Sequence, residues 1–302
     1  MRILSIGEVL WDVFGDEEYL GGAPLNFSAI SQRLGNTAAL LTAVGNDERG
    51  TRTLKAIHDL NLTTEFVQRV AEYPTGIALV STDQDKNAVF TIERPAAFDC
   101  VTVDESIIRH TLSFGPDWLY FGTLAQASPQ METSLMCLMA SFPETRCFYD
   151  VNLRSGHWSL DLVERLSSVA QILKLNNHEA EILYELTTKE GNFNLEAFCR
   201  HWSYTYKTRI MCITLGSRGC AIFSDDTLRL FDGFLVDVVD TVGCGDAFGA
   251  AFLHGLNAGW PIEQCALFAN ALGAVVATLP GANSEWKIEQ CYELMRSRSA
   301  YR

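Results

Sequence analysis

Asp240-Thr241-Val242-Gly243-Cys244-Gly245-Asp246-Ala247-Phe248-Gly249-Ala250-Ala251-Phe252 joins an extended approach, Phe234–Val239, to a helix of small residues by way of two glycines. Gly243 and Gly245 let the backbone take unusual angles and let a ligand come close. The N–H groups of such a turn and of the first helical turn have no intrahelical partners. Together with the helix dipole they favour an anion. Asp246 falls in that first turn. A carboxylate there either offsets the dipole or stands beside an anion site, placed to accept a proton from a hydroxyl.

Outward from this segment, Ile222–Phe223 and Leu228–Phe231 read as antiparallel strands around a polar turn, and Gly245–Asn257 and Pro261–Leu279 as helices. Upstream, strand candidates Ile3–Gly7, Ala38–Val44, Trp118–Phe121, Cys147–Val151, Ile172–Leu175 and Ile210–Leu215 alternate with helix candidates. Those helices are Pro24–Leu34, Thr51–Leu60, Pro129–Phe142, Ser159–Val169, His178–Leu186 and Leu195–Tyr204. The alternation predicts βαβ units, a mainly parallel sheet and helices on both faces. Two stretches break the rhythm. Val9–Leu20 reads as strands without a helix, and Gly76–Thr82 with Ala88–Ile92 reads as a hairpin around Asp83–Asn87. We expect one α/β domain over residues 1–302, with segments of about 9–20 and 76–98 forming a small β-sheet lid that excludes water from a site.

The 302 residues carry a formal charge of −14, which argues against nucleic acid as a partner. A cradle of backbone N–H groups still binds phosphate without a basic surface. Nine cysteines occur singly, with no CxxC pair, so no zinc knuckle is indicated and reduced thiols in a cytoplasmic protein are expected. No secretion leader is expected, and Ala271–Leu279 is too short to cross a bilayer. Gly243 and Gly245 begin like a dinucleotide fingerprint, but the third glycine is Gly249, one place late, and the segment lies far from the first βαβ unit. GxxxxGK[ST], HExxH and GxSxG are absent from the sequence.

A second glycine loop, Gly21-Gly22-Ala23-Pro24-Leu25-Asn26, makes a tight entry into a helix with Pro at its start. It reads as a structural turn or as a loop presenting the Asn26 amide to a ligand. Asp12, upstream, reads as a surface acid or as a partner for a polyol.

Taken together, the two loops resemble the two signatures of the ribokinase-like (PfkB) carbohydrate kinases. Gly21–Asn26 through Leu34-Gly35 is similar to the N-terminal signature. Asp240–Asp246 is similar to the C-terminal DTxGAGD, with Cys244 where Ala is usual. The resemblance covers essentially the whole chain. It implies a three-layer α/β/α sandwich with a small β lid, ATP-dependent phosphorylation of a sugar hydroxyl, Asp246 as general base and the Gly243-Cys244-Gly245-Asp246 backbone as anion hole. Asp12, Gly21, Gly22 and Asn26 would bind the sugar.

Further matches follow the same resemblance. Lys174-Leu175-Asn176-Asn177-His178-Glu179 is similar to the family's NxxE element, which places Asn176 and Glu179 near Mg²⁺, Glu179 acting through water. Taken alone, this is an ordinary helix start. Thr214, Gly216 and Gly219 match the nucleotide-binding strand and turn, and Asn270 the helix beside the adenine. Asp240, the Val242 carbonyl and the segment near Gly281 match the position of a monovalent cation, K⁺ in the family, although Ala282-Asn283-Ser284 departs from the family's common spacing.

The Gly-Gly-Ala-Pro loop, together with Asp150-Val151-Asn152-Leu153-Arg154 and the following Trp158, resembles fructokinases. Arg154 would act on the transferring phosphoryl group. Kinases for 2-keto-3-deoxygluconate, tagatose, aminoimidazole riboside, ribose or nucleosides stay open, as does a non-catalytic sugar or nucleotide sensor on the same fold. Phe90 and Phe98 are candidate sugar contacts in the lid. The lid's free edges imply a homodimer formed through it.

Overall fold

A computed structural model describes residues 1–82, 88–188 and 191–299. β1 (Arg2–Ile6) leads into β2 (Leu10–Phe14) and β3 (Glu17–Gly21), then α1 (Ala23–Arg33), β4 (Thr37–Gly45), α2 (Glu48–Asp59) and β5 (Val67–Val70). β6 (Gly76–Thr82) and β7 (Ala88–Ile92) follow, then α3 (Glu105–Phe114), β8 (Trp118–Gly122), α4 (Thr123–Gln126), α5 (Pro129–Ser141), β9 (Arg146–Asp150) and α6 (Leu160–Ser167). β10 (Ile172–Asn176), α7 (Asn177–Thr187), α8 (Leu195–Tyr206), β11 (Ile210–Thr214), β12 (Cys220–Ser224), β13 (Thr227–Phe231), α9 (Cys244–Asn257), α10 (Ile262–Ala277) and α11 (Ile288–Ser299) complete the chain.

The strands form a nine-stranded sheet, β13-β12-β11-β10-β9-β8-β1-β4-β5, parallel except where β12 and β13 return antiparallel. Its central strands are apolar on both faces: Trp118–Gly122 is buried throughout, and so are the last four residues of β9. Such runs require cover on both sides. Ile3, Tyr120 and Phe148 turn to the face covered by α1, α9 and α10, while Leu4, Phe121 and Tyr149 turn to the face covered by α5 to α8. The three-layer sandwich follows from this strict alternation.

β3-β2-β6-β7 forms a separate four-stranded sheet from the two segments that break the βα rhythm. The turn Asp83–Asn87 and the side chain of Phe90 lie outside the described residues. Phe98 sits in a buried cluster with Leu10, Ala78, Ile92 and Leu124, so it supports the small sheet instead of facing a ligand. Phe234–Val239 joins neither sheet; the Val239 N–H is taken by the Ala277 carbonyl at 2.8 Å.

Local signals explain the helix starts that matter here. Gly22 precedes α1 at φ 117°, and a Cβ there would stand 2.5 Å from the Glu8 carbonyl, so only glycine fits. Asn176 and Glu179 cap α7 reciprocally. Gly243, at φ 79°, precedes α9, and no side chain among the described residues caps that helix.

Candidate active site

Strand order reverses beside β1: β4 lies on one side and β8 on the other. In open α/β sheets the crevice beyond the carboxyl ends at such a point receives ligands. A cleft of about 320 Å³ lies there. Its floor is made by residues at or just past the strand ends: Glu8 after β1, Leu124 after β8, Asn152 and Arg154 after β9, Asn176 at the end of β10 and Glu179 after it, and Thr214 at the end of β11. Leu10, Asp12, Ala78 and Ile92 of the small sheet form one wall, and Thr241, Val242, Gly243, Gly245 and Asp246 form the opposite one. Thus Asp12, Gly22, Asn26, Arg154, Asn176, Glu179, Thr214, Val242, Gly243, Gly245 and Asp246, drawn from distant parts of the sequence, all face one space.

Asp246 is the centre of this arrangement. Its Oδ2 accepts a 2.8 Å hydrogen bond from Asn26 Nδ2. Burial, then the charge of Asp150, lifts its pKa to about 6, against the opposing pull of Lys174, the Asn26 bond and Arg154. A carboxyl group so placed is ionised at neutral pH yet basic enough to take a proton. Lys174 Nζ donates to both oxygens of Asp150, each at 2.8 Å, and the Tyr120 hydroxyl donates to the same carboxylate at 3.0 Å. Burial alone would lower the Lys174 pKa, but the charges of Asp150 and Asp246 more than offset it and the pKa is raised. The ammonium therefore stays charged directly beneath the start of α9, where a Cβ on Gly245 would stand 3.3 Å from Nζ.

The other acids are also tuned by burial. Asp12 is raised to about 6 by burial, opposed by Arg154. Gly21 makes room for it, since a Cβ there would lie 2.9 Å from Asp12 Oδ2. Glu179 is raised by burial, although Oε1 accepts from the Leu153 N–H and Oε2 from the Asn176 N–H, both at 2.8 Å. With one acceptor site on each oxygen already used, this carboxylate suits a metal held through water. Among the described residues no three His, Cys, Asp or Glu side chains gather into a metal cage.

The remaining expected residues stand just outside the cleft. Cys244 presents its backbone to the turn, while its thiol points to the Asp240 carbonyl, 3.9 Å away. Burial pushes that thiol up to about 11, so it is not a nucleophile at neutral pH. Asp240 closes the loop: Oδ1 accepts from the Val242 N–H at 3.0 Å and Oδ2 from the Gly281 N–H at 2.9 Å. Gly216 and Gly219 shape the turn between β11 and β12, where a Cβ on Gly219 would collide with the Phe231 carbonyl at 2.1 Å. Asn270 is buried, and its amide donates to the Phe231 and Asp232 carbonyls, each at 3.2 Å, bracing the end of β13.

The sequence reading assigned no role to Glu8, Asp150, Lys174 or Asn283. Lys174 had a signal: a lysine in the middle of a strand buried on both faces requires an acidic partner nearby. Glu8 has no local signal, since only the fold reveals that it is 3% exposed and faces the cleft.

A cleft at the switch point of a parallel sheet, with a tuned carboxylate beside an uncapped glycine helix start, defines a phosphotransferase acting on a hydroxyl. Comparison with known proteins agrees. The model of the pfkB family of carbohydrate kinases matches residues 5–289, and the chain belongs to that family. Fructokinase-1 of Zea mays is 28% identical over 276 residues, covering 85% of this chain and 82% of its own. The ATP-dependent 6-phosphofructokinase of Thermoanaerobacterium thermosaccharolyticum is 24% identical over 298 residues, covering 90% and 86%. The solved structure of fructokinase with bound ATP from Xylella fastidiosa superposes with a TM-score of 0.85 at 20% identity, covering 99% of both chains. The fold is ribokinase-like, and the chain is a sugar kinase.

Proposed function

We propose that this chain transfers the γ-phosphoryl group of ATP to a primary hydroxyl of a small sugar, with fructose the first candidate. The observation that carries the reading is Asp246, hydrogen-bonded by Asn26 across the cleft beside the uncapped start of α9. Asp12, the Gly22 backbone and Asn26 hold sugar hydroxyls. Asp246 takes the proton of the attacking hydroxyl. The backbone N–H groups of Gly243 to Asp246, with Arg154, stabilise the charge on the phosphoryl group in flight. Asn176 and Glu179 anchor waters of Mg²⁺, which supplies charge neutralisation on the phosphates. Thr214 and the Gly216–Gly219 turn border the nucleotide. Asn270 contributes by holding the end of β13, beside which the base would lie. Asp240 and the Val242 carbonyl are the candidate positions for K⁺. Two copies would pair through the small sheet, whose outer residues Phe14, Tyr19 and Leu79 are exposed at 41%, 54% and 41%.

Fructose is favoured because several relatives, the maize protein among them, are named fructokinases. The phosphofructokinase relative makes a sugar phosphate the second acceptor to test. The experiment is a coupled assay over fructose, fructose 6-phosphate, ribose, 2-keto-3-deoxygluconate, tagatose and adenosine, run on the parent and on Asp246→Asn. The variant is expected to bind sugar normally while kcat falls ~10²–10⁴-fold. Turnover near the parent's refutes Asp246 as the base, and a flat response to fructose refutes the acceptor.

A further inference from the structure

The loop between α10 and α11 reaches back to the centre of the site. It is pinned at one end, where the Gly281 N–H donates to Asp240 Oδ2 at 2.9 Å, and at the other, where Arg33 Nη1 of α1 donates to the Ser284 carbonyl at 2.6 Å. Ala282 packs so closely on Gly243 that a Cβ on that glycine would stand 2.3 Å from Ala282 Cβ. Between these anchors Asn283 Nδ2 donates to Asn26 Oδ1 at 3.0 Å, and Asn26 Nδ2 in turn donates to Asp246 Oδ2 at 2.8 Å. Asn283 Oδ1 is buried without a hydrogen-bond partner among the described residues. The end of the Asn283 amide that bonds is thus its nitrogen, and the partner is Asn26.

We propose that Asn283 is a positioning residue for phosphoryl transfer: by donating to Asn26 Oδ1 it fixes which way round the Asn26 amide stands, and so keeps an N–H on the Asp246 carboxylate. This rests on the reading of Asp246 as the base. The logic is that of an amide, which has one donor end and one acceptor end. While Asn283 offers a donor, Asn26 turns its oxygen to Asn283 and its nitrogen to Asp246. An Asn26 turned the other way would set an oxygen against the carboxylate, an arrangement satisfied only when Asp246 carries a proton. The donor on Asp246 stabilises its charged form and holds it in line for the acceptor hydroxyl. The other groups facing Asp246 are Asp150 at the end of β9, Arg154 after β9, Lys174 on β10, Glu8 after β1, Tyr120 on β8 and Cys244 on its own helix. None of these touches Asn283 in a hydrogen bond found in the structure.

The test is the pH profile of kcat at saturating sugar and ATP for Asn283→Ala, Asn283→Asp and, as a charge control, Ser284→Asp, with Asp246→Asn alongside and thermal melting of each. Asn283→Ala removes the donor. It is expected to lower kcat several-fold at pH 6 and to move the acid limb upward by about half a pH unit, with melting close to the parent's. Asn283→Asp is nearly isosteric and only accepts, so Asn26 must give its N–H to the new carboxylate. The acid limb then moves up by about one unit or more. Ser284→Asp adds the same charge without touching Asn26 and is expected to leave the limb in place. An inactive Asp246→Asn combined with an unmoved limb in both Asn283 variants overturns the inference while sparing the base. A limb moved as far by Ser284→Asp as by Asn283→Asp overturns it too. An active Asp246→Asn overturns the base itself. If Asn283→Asp does not fold, Asn283→Ala decides alone.

Discussion

Glu8→Gln isolates the cost of an acid buried in the cleft. Glu8 is 3% exposed, one of its oxygens has no partner among the described residues, and its pKa is pushed up from 4.5 to about 7. Burial is the main cause. Its own backbone N–H, Arg154 and Arg94 oppose it, and the charge of Asp246 adds to it. The sign follows from proton binding. Between about 4.5 and 7 the folded chain holds a proton that the unfolded chain has released, so stability falls as pH rises through that window. A difference of about 2.5 between the folded and unfolded values, at 1.36 kcal/mol for each, gives roughly 3 kcal/mol once the pH is well above 7. About 1 kcal/mol of that is already present at pH 5.5.

Glutamine keeps the shape and cannot ionise. The stability of Glu8→Gln relative to the parent is therefore expected to improve by about 2 kcal/mol between pH 5.5 and pH 8.5. The measurement is denaturant unfolding of both proteins, without ligands, at the two pH values. Using the change in the gap cancels any pH-independent packing difference. A gap that stays constant with pH, or that moves in the parent's favour as pH rises, shows that Glu8 is ionised at low pH in the folded chain and that the burial argument fails.

Lys174→Met keeps the length of the side chain but strands the Asp150 carboxylate, which is 1% exposed, with the Tyr120 hydroxyl as its remaining side-chain donor among the described residues. Breaking a buried pair from one side costs about 3–5 kcal/mol, so the unfolding midpoint is expected to drop clearly and to recover in part in Lys174→Met/Asp150→Asn. A single variant as stable as the parent would show that the pair is dispensable. Gly243→Ala forces a Cβ to within 2.6 Å of Ala282 Cα at a backbone angle of φ 79°. Strain of about 1–2 kcal/mol comes with displaced amides at the start of α9, and kcat is expected to fall ~10²-fold or more, read in the same coupled assay. Unchanged turnover would mean that those amides do not hold the phosphoryl charge.

The sheet was legible because its strands are short, apolar and spaced by amphipathic helices, a pattern carried by each segment alone. β5 and α3 were missed for different reasons. β5 is four residues long and only partly buried, too brief for a periodic signal. α3 did carry signals, with Asp104 capping it and Gly115 ending it in the left-handed region, but the region between the hairpin and Trp118 showed no strong apolar period. In the site, Gly243, Gly245 and Asp246 were readable because glycine followed by an acid at a helix start has chemistry in itself. Asp150 and Glu8 were not, since a carboxylate near a strand end acquires meaning only when the fold shows what surrounds it; the lysine in the buried strand, Lys174, said that an acid is near without saying which. Asn283 lies further from legibility still: its role depends on meeting Asn26, 257 residues away.

The charge of the cleft explains why a metal belongs with the nucleotide. Glu8, Asp12, Asp150, Glu179 and Asp246 line it against Lys174 and Arg154, and Lys174 is already paired with Asp150. Bare phosphates entering this space would add to the negative field around Asp246 and lift its pKa above the value that burial and Asp150 already impose. The base would then be protonated at the moment it is needed. A nucleotide whose charge is largely neutralised adds much less to that field. On the reading of Asp246 as the base, the acids that raise its pKa would also make the site discriminate against free nucleotide. The α9 amides, which carry only a partial charge, can favour an incoming phosphoryl group but cannot by themselves reverse the sign of the cleft.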